Sequence, residues 1–311
     1  MSDVGPTLTD VLALAARHGL DLVADGATVV EAGLDFRVVL ADATDGRRWA
    51  LRLPRRPDVV EGTDAEARTL DLVAPALAAV GVAVPDWQVR SPELLAYPAL
   101  PGSPGLTLTA AGEPVWHLEP DSPDYAARLG RLLAALHAIT AEQAAVAGVE
   151  VRTPEQVRQA WRDDVARVSE AFTVAPALSE GWRAWLADDA CWPTATVMTH
   201  GEVYPAHVLL ADDGTVTGVL DWTTARVDDP ARDLSAQYGA AGSAGLEATL
   251  AAYAEAGGRV HDGLAAQARH LWDAAPLGYA LYALTTGAEA DRATAQALLD
   301  PESQPGTPGS E

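Results

Sequence analysis

The residues with the clearest catalytic spacing lie near position 200. Glu202 is followed five residues later by His207, and Asp221 lies on the next strand of a predicted hairpin. Phosphoryl transfer needs a carboxylate beside the attacking hydroxyl group and a divalent cation on the phosphates of a nucleotide. The loop after Glu202 can bring His207 to such a cation, and Asp221 completes the ligand set. The spacing therefore favours Mg²⁺-dependent phosphoryl transfer, in which the nucleotide supplies the remaining ligands.

The elements before this stretch predict a small β-rich lobe. Apolar residues follow a period of two between positions 27 and 53, and residues 44–46 form a hairpin turn signal. A Pro/Gly cluster at 101–105 predicts the connection to a second lobe. The predicted strands are 27–31, 36–41, 47–53 and a pair through Val89 and 94–100, and the predicted helices are 8–19 and 64–80.

The pattern after residue 102 is mainly helical. Ser122-Pro123 predicts a helix start, and 153–156 combines a capping box with a proline at the first helical position. A β-rich stretch over 196–221 interrupts the helices, which resume as far as Leu299. We predict an α+β, bilobal protein-kinase-like fold. Its parts are an N-terminal nucleotide-binding lobe with its hinge (1–101), a helical C-terminal lobe (102–300) and a disordered tail (301–311).

The motifs resemble a known family. Antibiotic phosphotransferases carry a His-Gly-Asp loop, an Asn or His five residues after that Asp, and an Asp on the next hairpin. His200-Gly201-Glu202, His207 and Asp221 are similar to that pattern. The runs 221–230 and 46–56 resemble the macrolide 2′-phosphotransferases, a branch of the aminoglycoside phosphotransferase (protein-kinase-like) family. The resemblance covers roughly residues 8–299.

The resemblance implies transfer of the γ-phosphate of GTP or ATP to the 2′-hydroxyl of the desosamine sugar of macrolides, an antibiotic-resistance activity. Glu202 would be the catalytic carboxylate, and His207 and Asp221 would hold Mg²⁺. Glu202 departs from the family, which has Asp there. The extra methylene can move the carboxylate by about 1 Å, and a shift of that size can cost roughly a hundredfold in rate.

The resemblance also implies a nucleotide site in the first lobe. Arg52 takes the place of the phosphate-contacting lysine of kinases, with Glu66 as its partner from the following helix. Gly33 occupies the position of the nucleotide loop. The carbonyl of Tyr97 and the amide of Ala99 would contact the base. Two simpler interpretations stay open: Glu66 can close a capping box that begins at Thr63, and Arg52 can be a surface residue.

Other polar residues near the loop also have two interpretations. His200 is expected to bond to the loop backbone, and Tyr204 to contact the substrate. Asp228 either faces a cationic substrate or is a solvated loop residue. Asp229 and Asp233 are expected to cap a helix and brace the catalytic loop. A further histidine, His137, is expected to be structural.

Three tryptophans in the second half can line a pocket for a large apolar ligand, but at helical spacing they are more often core residues. They are Trp182, Trp185 and Trp192.

Composition limits the function further. There are 44 acidic and 21 basic residues, a formal net charge of −23, and the chain contains no lysine. Such a field disfavours nucleic acid and suits a cationic substrate such as a macrolide, which carries a dimethylammonium group. Cys191 is the single cysteine, and no signal sequence or membrane-spanning segment is evident. We therefore expect a cytoplasmic protein without membrane partners, and a monomer is taken as the default oligomeric state.

Alternative functions remain open at this point. A kinase of the same fold can act on an aminoglycoside or a sugar-like metabolite, because substrate choice lies in the helical lobe. A protein that binds nucleotide or drug without turnover is a second alternative, given Glu202. A metal hydrolase built on His200, Glu202 and His207 is more remote, and the chain has no P-loop motif.

Overall fold

The computed structural model describes residues 6–31, 33, 35–109 and 111–301. The chain divides into two compact units. Unit 1 comprises Met1–Glu119, Glu142–Val149 and Tyr204–Ala225. Unit 2 comprises Pro120–Ala141, Glu150–Val203 and Arg226–Glu311. The predicted disordered tail, 301–311, lies outside the described residues except for Pro301.

Unit 1 is built on an antiparallel sheet with strand order β1-β2-β3-β5-β4. Helix α1 packs on one face, where it shares a buried apolar core with β2 and β3. Trp49, Leu51 and Leu53 of β3 point into this core. Because side chains alternate along a strand, Arg52 points to the opposite face. The described elements of this sheet and its helices are α1 (Leu8–Arg17), β1 (Thr28–Val30), β2 (Phe36–Asp42), β3 (Arg48–Pro54), α2 (Pro57–Ala78), β4 (Val89–Arg90) and β5 (Leu95–Pro98).

Helix α2 begins seven residues before the predicted start. Pro57 occupies the first turn, where its fixed φ and missing N–H are compatible with a helix. Thr63 therefore lies inside the helix, and its hydroxyl donates to the Val60 carbonyl at 2.8 Å. The capping-box interpretation of Glu66 is wrong for this reason, since a cap exists only at a helix end.

Two smaller β structures complete unit 1. Strand β10 pairs with β6 and with β11, and β7 forms a hairpin with β8. The predicted lobe boundary at 101/102 falls inside unit 1, because Ser103 and Pro104 pair with Leu210 and Leu209 of β10. These strands are β6 (Ser103–Pro104), β7 (Leu106–Leu108), β8 (Pro114–Trp116), β10 (Val208–Leu210) and β11 (Val216–Val219).

Unit 2 is mainly helical. Its one described sheet is the antiparallel pair of β9 and β12, and a large apolar cluster joins α5, α6, α9 and α10. Thr153 forms the predicted capping box with Gln156. Helix α4 (Ala141–Val146) belongs to unit 1 except for Ala141. The remaining elements of unit 2 are α3 (Pro123–His137), α5 (Pro154–Ala171), α6 (Pro176–Ala187), β9 (Val197–Thr199), β12 (Arg226–Asp228), α7 (Arg232–Glu255), α8 (Leu264–Asp273), α9 (Ala275–Thr286) and α10 (Glu289–Leu299).

The three tryptophans of the second half belong to the interior. Trp185 stacks on Trp192 with ring centroids 5.3 Å apart, and Trp182 lies in the apolar cluster. The core interpretation of this trio is therefore correct. The predicted α+β class, with a β-rich first unit and a mainly helical second unit, is also confirmed. Within the described part of the chain, no helix has the length and apolar character needed to span a bilayer.

Candidate active site

A buried ion pair lies on the face of the unit 1 sheet opposite the apolar core. Arg52 Nη1 donates to Glu66 Oε1 at 2.6 Å, and the two residues are 5% and 3% exposed. Arg52 comes from the middle of β3, and Glu66 comes from the third turn of α2. The surface interpretation of Arg52 is therefore wrong. A guanidinium bound in this way keeps further N–H groups that can meet a phosphate.

The surroundings of Arg52 hold it in the charged state. Burial opposes its charge, but Glu66, Tyr97 and Asp221 together raise its pKa above the ordinary value. Burial raises the pKa of Glu66, and the hydrogen bonds from Arg52 and from the backbone N–H of Trp222 oppose that effect. Asp221 is close enough to influence both members of the pair.

Aromatic rings enclose the guanidinium. Arg52 Cζ lies 3.9 Å from the ring centroid of Phe36 and 5.8 Å from that of Trp87. A flat guanidinium can stack on such rings, whereas an ammonium group cannot. The structure thus explains how an arginine can take a position that kinases give to lysine.

His207 and Asp221 approach each other in unit 1. His207 Nε2 lies 3.7 Å from Asp221 Oδ2, and the Leu220 N–H donates to the His207 carbonyl at 2.8 Å. Asp221 has a φ of 63°, a left-handed conformation that is uncommon outside glycine. Thr223 supports this turn by donating its hydroxyl to Asp221 Oδ1 at 2.7 Å. Strained backbone of this kind concentrates at functional sites.

The side chains of His207 and Asp221 meet part of what Mg²⁺ requires. Among the described residues, no group of three or more His, Cys, Asp or Glu side chains is arranged to hold a metal. Mg²⁺ commonly takes one or two protein carboxylates and fills its octahedron with water and phosphate oxygens. Asp221 fits that demand well, while the imidazole of His207 is a less typical ligand.

The main chain of β5 corrects the predicted base contacts. The Ala99 N–H donates to the Arg48 carbonyl at 2.8 Å, so this amide already belongs to the sheet. In an antiparallel ladder, hydrogen-bonded residues recur at every second position, and Tyr97, opposite Ala50, therefore also faces β3. By the same alternation, the carbonyl of Pro98 is expected to point away from β3, and so is the amide of Leu100, which lies two residues beyond the end of β5.

Gly33 lies in the turn between β1 and β2. This is the position that the resemblance gives to the nucleotide loop. Its carbonyl accepts a hydrogen bond from Arg55 Nε at 2.9 Å. A Cβ atom at Gly33 would lie 2.5 Å from the Phe36 carbonyl oxygen, so only glycine fits here. Arg55 also binds the carbonyl and the carboxylate of Glu31. The turn is thereby tied to the end of β3.

A second group of predicted residues meets in unit 2. Asp233 at the start of α7 accepts the His200 N–H at 3.0 Å and the Gly201 N–H at 2.6 Å. His200 Nδ1 in turn accepts the Glu202 N–H at 3.2 Å. His200 and Asp233 are fully buried, and Glu202 is exposed. Burial opposes the charge on Asp233, yet His137 and the loop amides hold its pKa below the ordinary value.

Asp228 differs from both expectations. It is 1% exposed, and its Oδ2 receives Arg226 at 2.7 Å, Arg232 at 3.2 Å and Arg152 at 3.7 Å. The expectation of a solvated loop aspartate is wrong, because three cations surround the carboxylate in the interior. These contacts do not favour a direct role in substrate binding either. Asp228 ties β12 to the first turn of α7.

Asp229 belongs to a buried polar chain. Its Oδ1 accepts the Ala231 N–H at 2.9 Å, and its Oδ2 accepts Gln267 Nε2 at 2.7 Å. Gln267 Oε1 accepts the indole N–H of Trp185 at 2.7 Å. Burial raises the pKa of Asp229 to about 7, against the effect of these hydrogen bonds. The bond to Ala231 lies beside the start of α7.

Tyr204 and His137 lie in different units. Tyr204 lies in unit 1, edge-on to His207 with ring centroids 6.0 Å apart, and its carbonyl accepts the His207 N–H at 2.7 Å. Its contact with a substrate stays a prediction. Sequence reasoning assigned His137 no part in the site, but its Nε2 lies 3.0 Å from Asp233 Oδ2. A histidine on the buried face of a helix carries no signal that separates this contact from ordinary packing.

Each unit thus contributes one arrangement suited to phosphoryl transfer. Unit 1 offers a buried guanidinium and a strained aspartate, which suit phosphate and a divalent cation. Unit 2 offers an exposed carboxylate on a loop whose backbone amides are fixed, which suits a proton acceptor.

Known proteins share both the family pattern and the fold. The model of the phosphotransferase enzyme family matches residues 26–296. The crystal structure of the apoenzyme of macrolide 2′-phosphotransferase MphH from Brachybacterium faecium is 56% identical, with a TM-score of 0.87, over 96% of this chain and 99% of its own. A structure of a macrolide 2′-phosphotransferase type I is 42% identical, with a TM-score of 0.86, over 94% of this chain and 98% of its own. The predicted resemblance and the kinase-like fold are confirmed.

A relative from Bacillus subtilis (strain 168) is more distant. The uncharacterized protein YcbJ is 37% identical over 285 residues, which are 91% of this chain and 92% of YcbJ. The similarity to all three proteins extends over nearly the whole chain.

Proposed function

Because this chain belongs to the phosphotransferase enzyme family and is a kinase, we propose that it transfers the γ-phosphate of GTP or ATP to the 2′-hydroxyl of the desosamine sugar of macrolides. The observation that carries this proposal is the similarity to macrolide 2′-phosphotransferase MphH, at 56% identity over nearly the full length of both chains. The activity would give resistance to macrolides, since a phosphate changes both the size and the charge of the drug.

The nucleotide is proposed to bind through unit 1. Arg52 would contact the phosphates with the N–H groups that Glu66 does not use, and Gly33 would let the turn approach them closely. The direction of the peptide groups in β5 supports base contacts from the Pro98 carbonyl and the Leu100 amide. These two groups replace the pair predicted from the sequence.

Glu202 is proposed to accept the proton of the 2′-hydroxyl. The hydrogen bonds of Asp233 and His200 to the loop fix the backbone on which this carboxylate stands. A fixed carboxylate needs little reorganisation when the hydroxyl attacks, which is the condition for efficient proton transfer. The side chain of Glu is one methylene longer than that of the family Asp. For Glu202 to meet the hydroxyl in the same geometry, the loop or the bound substrate has to be displaced by roughly 1 Å.

Asp221, with His207 beside it, would hold Mg²⁺ together with the nucleotide phosphates. The bound ion would neutralise charge that develops on the transferred phosphoryl group. Thr223 keeps the Asp221 carboxylate oriented through its hydroxyl. His207 can orient the same carboxylate from the other side, across 3.7 Å.

The direct test uses the purified protein with Mg²⁺, erythromycin and either GTP or ATP, followed by mass spectrometry. A macrolide that gains one phosphate supports the proposal. The rates of product formation with GTP and with ATP show which nucleotide is the preferred phosphate donor. Kanamycin in the same assay is the comparison substrate. If kanamycin alone gains phosphate, the chain is an aminoglycoside kinase and the macrolide assignment is wrong.

Glu202 can be tested by two substitutions in that assay. Glu202→Gln should lower kcat by about 10²–10⁴, the usual contribution of a general base, and leave the nucleotide KM unchanged. Glu202→Asp shows whether the loop is adapted to Glu. A lower kcat for the Asp variant means that it is, and a higher kcat means that the methylene impairs the natural chain. An unchanged kcat in Glu202→Gln would remove Glu202 from the chemistry.

A further inference from the structure

The imidazole of His137 joins two distant parts of α7. His137 lies in the last turn of α3 and is 8% exposed. Its Nε2 lies 3.0 Å from Asp233 Oδ2, and its Nδ1 lies 2.9 Å from the Tyr253 hydroxyl. The rings of His137 and Tyr253 meet edge to face, with centroids 5.3 Å apart. Both ring nitrogens are therefore engaged by α7.

The partners assign a direction to these hydrogen bonds. The backbone N–H of Arg259 donates to the Tyr253 oxygen, and burial keeps that phenol protonated. The Tyr253 O–H then donates to Nδ1 of His137, and the Nε2–H of His137 donates to the Asp233 carboxylate. This tautomer satisfies all four groups, as the burial of polar atoms demands.

The chain of bonds continues to the catalytic loop. Asp233 also accepts the amides of His200 and Gly201, and His200 Nδ1 accepts the amide of Glu202. His137 thus supplies a side-chain donor to Asp233, beside the two backbone donors of the loop. Without that donor, the Asp233 carboxylate still accepts hydrogen bonds from the amides of His200 and Gly201. It loses the hydrogen bond from His137, which helps to fix the orientation of the carboxylate group.

We propose that His137, oriented by Tyr253, is a positioning residue that fixes Glu202 through Asp233 and the backbone of His200 and Gly201. The proposal rests on the proposed function insofar as Glu202 is the proton acceptor. Because His137 acts through Asp233, its removal should act on kcat and leave nucleotide binding, which is proposed to depend on Arg52, unchanged.

Two substitutions of similar volume separate positioning from packing. Gln can place its Nε2 amide near the position of the imidazole Nε2 and donate to Asp233, whereas Leu fills the space without a donor. We expect His137→Leu to lower kcat at least about tenfold and His137→Gln to lower it by no more than about threefold, both at unchanged nucleotide KM. Equal kcat values in the two variants would show that His137 only fills space.

Tyr253→Phe tests the other end of the chain with little change in volume. It should lower kcat by a few fold at unchanged nucleotide KM, because His137 keeps its bond to Asp233 but loses the one that fixes its tautomer. Wild-type kcat in this variant would contradict the role given to Tyr253.

A neighbouring cavity allows chemical rescue. The cavity measures about 520 Å³ and is lined in part by His137, Thr140, Thr196, Tyr253, Gly258 and His261. Imidazole can enter a space of this size next to the vacated position. Added imidazole should therefore raise the kcat of His137→Ala in a saturable manner and leave wild type and His137→Leu unaffected. Absence of rescue, together with equal Leu and Gln variants, would overturn the proposal.

Hydrogen exchange gives a test that needs no substrate. Amides 200–202 should exchange faster in His137→Leu than in wild type and His137→Gln, while β3 and β5 are unchanged. If wild type phosphorylates no macrolide but this difference is present, the proposed function fails and the positioning role stands. If exchange at 200–202 is the same in all three proteins, His137 does not hold the loop.

Discussion

Arg52 shows how one residue can be replaced by another of equal charge when its surroundings change too. The chain has no lysine, and the cation at this point of β3 is an arginine. The flat guanidinium lies against Phe36 and still reaches Glu66. The Phe36 ring packs against the flat face of the Arg52 guanidinium, and one edge of the guanidinium donates a hydrogen bond to Glu66. The aromatic residue and the arginine therefore form one unit.

Arg52→Lys should consequently not be a conservative change. We expect it to lower the free energy of unfolding by about 1–2 kcal/mol, because stacking on Phe36 is lost. The nucleotide KM should rise about tenfold, since a compact ammonium group cannot serve Glu66 and phosphate together. Arg48→Lys on the same strand, where the side chain is 40% exposed, is the control and should change stability by no more than about 0.5 kcal/mol. If Arg52→Lys and Arg48→Lys change the nucleotide KM equally, the several N–H groups of the Arg52 guanidinium are not needed for nucleotide binding.

Asp229 should make stability depend on pH. Burial raises its pKa to about 7, while an Asp in an unfolded chain titrates near 3.9. Between pH 4 and 7 the unfolded chain releases a proton that the folded protein keeps, so this residue lowers stability as pH rises across that window. Above pH 7 both states have released the proton, and its contribution becomes constant.

Urea unfolding of wild type and Asp229→Asn at pH 5, 6, 7 and 8 measures this effect. Wild type should lose up to about 1.4 kcal/mol per pH unit relative to the variant between pH 5 and 7, and nothing further above. The comparison cancels the other carboxylates, which are the same in both proteins. A constant difference between the two proteins at all four pH values would mean that Asp229 does not titrate in this range.

At the scale of elements, the bend in α7 brings the loop supports together. Asp233 and Tyr253 are 20 residues apart, a distance of about 30 Å along a straight helix. Both nevertheless contact His137, because the helix is interrupted at Gly242, where φ is 65° and ψ is −168°. That conformation is open almost only to glycine. The turn at Gly242 therefore decides whether one imidazole can serve both residues.

Gly242→Ala should lower the free energy of unfolding by about 1–3 kcal/mol, although no atom lies near the new Cβ. It should also reduce kcat, because Tyr253 moves relative to Asp233. Gly278→Ala in α9 is the matched control: it has ordinary helical backbone and open space, and should stabilise by about 0.5–1 kcal/mol. Thermal or urea unfolding of both variants checks the sign. Stabilisation by Gly242→Ala would show that the bend is not strained.

At the scale of the whole molecule, charge is the dominant feature. The formal net charge of −23 should draw a macrolide cation toward the protein and repel an anionic nucleotide. The two KM values should therefore respond to salt in opposite directions. Raising the ionic strength from about 0.02 to 0.2 M shortens the Debye length to under 10 Å and should raise the macrolide KM several fold while it lowers the nucleotide KM. Shifts in the same direction for both substrates would show that net charge does not govern binding.

Short sequence patterns were enough to predict the local features of this protein. The period-two strands, the Thr153 capping box and the hairpin turn at 44–46 follow from propensities that act over a few residues, and the structure has all of them. The motif residues from His200 to Asp221 also predicted the family, because their types and spacing are specific when taken together. The start of α2 was misjudged because Pro57 is compatible with a first helical turn, and a threonine further along imitated a cap.

Other features depend on residues that lie far apart in the chain, and the folded structure is needed to see them. Asp228 was expected to be exposed or to face a substrate, but it is buried against the nearby Arg226 and Arg232 and against Arg152, which lies far away in the sequence. The Ala99 amide is bound to β3 because the register of two strands places Arg48 opposite it. His137 is linked to the 200–202 loop through Asp233. The bend in α7 allows Asp233 and Tyr253 of the same helix to contact the two nitrogens of its imidazole. Contacts such as that between His137 and Asp233, which are 96 residues apart, leave no local pattern, so they become visible only when the chain is folded.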